Sequence, residues 1–79
     1  MAMPVSYLIE LKRERRKRRL NEVRVLIKRK LNGEYPDKTL EQLLGKYAYE
    51  RGISLRRIRE YIKTLKLAGE IPVDLQVDI

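Results

Sequence analysis

Cations are the residues through which this chain can do chemistry. Positions 12–19, Lys12-Arg13-Glu14-Arg15-Arg16-Lys17-Arg18-Arg19, place seven positive side chains in eight residues. A second set, Arg56, Arg57, Arg59 and Lys63, surrounds a single acid, Glu60. Guanidinium forks donate in pairs to phosphate oxygens or to guanine edges, and a carboxylate such as Glu60 accepts from cytosine. The chemistry on offer is recognition of a polyanion, not bond making. The chain has no His and no Cys, so it lacks the usual nucleophile–base pairs and zinc ligands. It also lacks a Gly-rich phosphate loop and calcium-loop spacing, and Glu41 and Glu50 read as exposed helix charges. No enzymatic activity, cofactor, metal or small-molecule ligand is expected.

The formal net charge is +8 over 79 residues, and it is segregated. Residues 1–33 hold eleven Lys/Arg against Glu10, Glu14 and Glu22, whereas residues 34–79 hold eight of each sign. Such a distribution makes a directed field suited to drawing in a phosphate backbone. A chain of this size makes one small domain with a thin core, and without Cys it has no disulfide to support it. No apolar run approaches membrane-spanning length, and the N-terminus lacks the apolar core of a secretory signal. The expected location is therefore the cytoplasm, on the nucleoid, or a host's cytoplasm if the source is viral. Charged residues make up 38% of the chain, with only two Asn and two Gln. That skew resembles thermophilic proteins and points to a prokaryotic source, archaeal among the options.

The elements that must position these cations are organised around residues 39–66. Thr39 and Gln42 have the spacing of a capping box. Leu40, Leu43, Leu44, Tyr47 and Ala48 then share one helical face. Gly52 suits a left-handed exit, Ile53 returns toward the core, and Ser54 is a good N-cap for a second helix. Leu55, Ile58, Tyr61, Ile62 and Leu65 form that helix's inner side, which leaves Arg56, Arg57, Arg59, Glu60, Lys63 and Thr64 outside or flanking. Gly69 and Pro72 mark its end. Upstream, residues 7–31 read as one long helix with Ser6 as N-cap, after a frayed segment 1–5 containing Pro4. Leu20, Val23, Leu26, Ile27 and Leu31 share an arc in its C-terminal half, and Asn32-Gly33 ends it. The 12–19 block carries cations on every face and interrupts the apolar stripe begun by Leu8, Ile9 and Leu11, so a continuous coiled coil is not expected. Tyr35, before Pro36, is predicted to be extended. Residues 71–79 alternate apolar and polar side chains, which predicts a half-buried strand with Pro72 at its start. That strand would pair with the Tyr35 segment or with a second copy.

Ala48, Gly52, Ile53, Ser54 and Ile58, spaced A-x-x-x-G-I-S-x-x-x-I, resemble the core of the helix-turn-helix family, including its winged variants. Apolar residues at 47, 53, 58 and 62 fit the same pattern, while Arg51 stands where the family buries a Leu. The resemblance implies a mainly α, three-helix domain over residues 1–79, divided into a basic N-terminal helix (6–32), the motif (39–66) and a short C-terminal β-strand (71–79). A full wing hairpin is not expected, so the fold would be a reduced winged helix. It also implies that Ser54, Arg56, Arg59, Glu60 and Lys63 enter a major groove, with Arg57 beside them.

For function, the leading expectation is a sequence-specific double-stranded DNA-binding protein that acts as a transcriptional regulator. Arg13, Arg15, Arg16, Lys17, Arg18 and Arg19 would add affinity along the backbone or in a minor groove. If the protein is a homodimer, half-sites should lie about 34 Å apart. An RNA-binding or ribonucleoprotein role led by the 12–19 block is the alternative. A protein-interaction module using the tail, with the charge serving solubility, is a third reading.

Overall fold

Local capping chemistry decides where each helix starts and stops. The computed structural model describes residues 5–79, with side chains from Leu8 onward, and it is built from three helices. These are α1 (Val5–Leu31), α2 (Leu40–Arg51) and α3 (Leu55–Leu67). Thr39 caps α2 as predicted. Its Oγ1 accepts from the Gln42 N–H at 3.1 Å, while its own N–H donates to Gln42 Oε1 at 2.9 Å. Ser54 Oγ accepts the Arg57 N–H at 3.2 Å to start α3.

The α2–α3 turn is a Schellman closure. Gly52, at φ 66°, donates to the Tyr49 carbonyl, and Ile53 donates to that of Ala48 at 2.8 Å. A residue without Cβ holds this left-handed conformation at little cost. The same pair of bonds ends α1 around Gly33 and α3 around Gly69.

Burial follows from the apolar arcs. Val23 and Ile27 of α1, Leu40, Leu44 and Ala48 of α2, and Ile58, Tyr61, Ile62 and Leu65 of α3 form one core, joined by Ile53 and Ile71. Each helix packs on the other two. At 1.5 Å per residue the 27 residues of α1 run to roughly 40 Å, whereas from Leu8 onward, among the described residues, its fully buried ones are only Val23 and Ile27. The N-terminal turns of α1 therefore extend beyond the core.

Several expectations need correction. The strand over 71–79, and with it the reduced winged helix, is absent: among the described residues there is no strand. The alternation instead reports burial. Ile71 is buried and Leu75, Val77 and Ile79 pack on the core, while Val73, Asp74, Gln76 and Asp78 are exposed. The tail's backbone is held by helix side chains and a turn. Lys66 Nζ donates to the Leu75 carbonyl at 2.6 Å, the Asp78 N–H donates to Glu41 Oε1 at 3.1 Å, and the Leu75 N–H reaches the Pro72 carbonyl. A strand needs an extended neighbour, and the Tyr35 segment does not supply one. Tyr35 is not extended but sits at φ 59°, and its carbonyl accepts from the Lys38 N–H and from Lys30 Nζ.

Leu31 and Leu55, both expected inside, are about half exposed, at 49% and 47%. Each occupies a terminal turn, where its helix runs past the crossing. The helix also begins earlier than expected, since Val5 is already helical and Ser6 lies within α1. Of the segment 1–5 expected to fray, Val5 is helical instead, and 1–4 fall outside the described residues.

Candidate nucleic-acid interface

The two cationic segments are presented by different means. In α3, the buried series Ile58, Tyr61, Ile62 and Leu65 anchors one face. Helical periodicity then turns Arg56, Arg59, Glu60 and Lys63 to the opposite side, where all four are exposed. Ser54 is exposed too, but its hydroxyl is engaged in capping. An internal Arg56–Glu60 pair would have satisfied this face locally; none forms.

Arg57 points elsewhere. With Tyr61, one turn on, it lines a cleft whose other wall is Lys12, Arg15, Arg16 and Arg19 of α1. Arg19 also lies over the α2–α3 turn beside Gly52, Ile53 and Ser54. Arg18 faces a different depression, shared with Arg15, Arg19, Glu22, Glu50 and Arg51. Arg13 and Lys17 are exposed and, by helical spacing, fall on the flank of α1 turned away from the cleft. The structure thus brings together Arg15, Arg16, Arg19 and Arg57, and leaves Arg13, Lys17 and Arg18 outside that group.

Lys12 belongs with the cleft, although the sequence reading did not select it. The signal was present: positions 12, 15, 16 and 19 have i, i+3, i+4, i+7 spacing. Its use required knowing which face of α1 meets α3.

Ion pairing accentuates the difference between regions. Glu70 pairs with Arg24 and Lys28 at 3.6 and 3.7 Å, Glu22 with Arg51 at 3.0 Å, and Glu50 with Lys46 at 3.9 Å. Among the described residues, no cation of 12–19 and none of Arg56, Arg57, Arg59 or Lys63 has an ion-pair partner. The acidic tail does not cover them either, since its polar contacts go to Lys66 and Glu41. The two resolved pKa shifts also lie away from this surface. The Asp78 N–H holds Glu41 below its ordinary value, and burial beside Glu22 pushes Tyr47 up to about 12.

The described residues contain no group of three or more metal-ligating side chains. No helix among them is long and apolar enough to cross a membrane. Tyr49, on the outer side of α2, is 89% exposed. Leu8 and Ile9 are also exposed, so the small apolar patch they begin does not pack on the core.

No family model, curated protein or solved structure matches the chain.

Proposed function

We propose that this protein binds double-stranded DNA in a sequence-dependent way, as a transcriptional regulator of the helix-turn-helix type, without a wing. The observation that carries the reading is the two-sidedness of α3. One side is locked into the core, while the other offers Arg56, Arg59, Glu60 and Lys63 exposed and with no ion-pair partner. A helix so held can enter a major groove and present donors to guanine and an acceptor to cytosine. The exposed cations of 12–19 supply sequence-independent affinity through phosphates.

Selection of bound duplexes from a random pool, repeated with Arg56→Ala and Lys63→Ala, tests this reading. A base-reading helix loses preference at a defined position in at least one variant, by about 1–3 kcal/mol. If both variants lose only overall affinity, α3 is a phosphate-binding element and sequence reading is excluded.

RNA binding is the alternative favoured by one feature, the projection of the 12–19 turns past the core with cations on every side. Competition between duplex DNA and a structured RNA hairpin at matched salt separates the two.

A further inference from the structure

The face of α1 that enters the core changes character along its length. Val23 and Ile27 are fully buried on it. Going back toward the N-terminus, the same face carries Arg19, Arg16, Arg15 and Lys12 in place of apolar residues. These four line the cleft together with Arg57 and Tyr61 of α3. The helix pair therefore encloses a cleft lined by five cations and no acid. Glu10 and Glu14 sit on other faces of α1 by the same periodicity. Five like charges gathered beside one another repel, and no ion pair within the described chain offsets that repulsion.

We propose that this cleft is a seat for one sugar-phosphate strand of a bound nucleic acid, separate from the base-reading face of α3. The inference rests on the DNA-binding reading and refines it. Arg57 is assigned to phosphates, not to bases, and α1 becomes a positioning element as well as a source of affinity. Because Arg57 and the outward residues share α3, a strand held in the cleft sets how that helix meets the groove. Four cations at i, i+3, i+4 and i+7 form a straight stripe along α1, which suits a linear run of phosphates better than a single anion.

The test compares two charge-matched double variants of the full chain. One is Arg16→Gln with Arg57→Gln, in the cleft. The other is Arg13→Gln with Lys17→Gln, on the far flank of the same helix. All four residues are exposed, so both variants should fold, which circular dichroism verifies. Binding to a duplex, to an RNA hairpin and to inorganic phosphate is measured across a salt series. Each lost backbone contact lowers the slope of log K against log salt by about 0.9 on duplex DNA. The expected result is a fall of about 1.8 for the cleft pair and less than half of that for the flank pair. Equal falls on duplex would overturn the cleft proposal while leaving DNA binding intact. Inorganic phosphate binding as tightly as a nucleic acid would make the cleft a simple anion site and overturn the strand seat. A cleft-specific fall seen only with the RNA hairpin would keep the strand seat and remove the DNA reading. Failure of the parent protein to bind either nucleic acid would remove both.

Discussion

Arg51 ties the last turn of α2 to α1. Its Nη2 lies 3.0 Å from Glu22 Oε2, and its guanidinium carbon stands 5.8 Å from the centroid of the Tyr47 ring. The proposed helix-turn-helix reading would place a Leu at this position. Here the partly exposed guanidinium is held by Glu22 and Tyr47 at the rim of a depression that Val25 and Leu26 of α1 also line. Arg51→Ala should therefore lose the contact with the Tyr47 ring as well as the ion pair. Since the pair is partly exposed, a double-mutant cycle with Glu22→Gln should give a coupling of about 0.2–1 kcal/mol that shrinks in high salt. A coupling well above that range would mean the pair is desolvated in solution.

Tyr47 beneath this pair has a buried hydroxyl with no partner at hydrogen-bonding geometry. Burial, reinforced by the Glu22 carboxylate, pushes its pKa from 10.0 up to about 12. The folded state thus favours the neutral phenol, and this contribution is complete below the unfolded value. It is lost as pH rises through the folded one. Tyr47→Phe should be neutral or stabilising near pH 7, because it removes an unpaired buried group. Between pH 10 and 12 the melting temperature of the variant should fall less steeply than that of the parent. Parallel curves would place the hydroxyl in water.

Glu41 shows the opposite sign. Its carboxylate accepts the Asp78 N–H, and its pKa is lowered from 4.5 chiefly by that bond. The stabilisation is present above the ordinary value and lost as pH falls through the folded one. Acidification below about pH 4.5 should accordingly release the end of the tail, where Val77 and Ile79 cover the core. Protection of the Asp78 amide, taken relative to its intrinsic exchange rate, should fall there in the parent, and in Glu41→Gln should show no such acid step.

Gly52 separates backbone strain from crowding. A Cβ built there would meet nothing within 4 Å, yet φ is 66°. Gly52→Ala should cost about 1–2 kcal/mol, the ordinary price of a left-handed non-Gly residue. Gly52→Asn should cost less, because Asn tolerates that region. A loss several times larger on denaturant unfolding would show that the turn also makes contacts not visible in a single chain.

Ile58 is fully buried at the centre of the crossing. Ile58→Ala should cost about 2–5 kcal/mol, a large share of what a domain of this length commands. Urea unfolding of the variant should show either a much lower midpoint or no folded baseline. A loss under about 1 kcal/mol would contradict the packing of α3 on α1 and α2.

Much of this architecture can be read from local chemistry alone. Thr39 with Gln42, Ser54 with Arg57, and Gly52 define helix ends through bonds that span three to five residues, so no distant partner is needed to foresee them. The inward positions of Ile58, Tyr61, Ile62 and Leu65 follow from periodicity, and the exposure of Arg56, Arg59, Glu60 and Lys63 follows from those. Tertiary structure alone decided three things. The 71–79 tail alternates like a strand, but pairing depends on a neighbour, and the left-handed turn at Tyr35 removed the one within the chain. Leu31 and Leu55 have the right spacing for burial, but the lines of the crossing helices left them at the margin. Lys12 and Arg57 lie far apart along the chain, and only the packing angle of α1 on α3 sets them across one cleft. Spacing along a helix is a one-dimensional property; which face meets which depends on how three such cylinders pack.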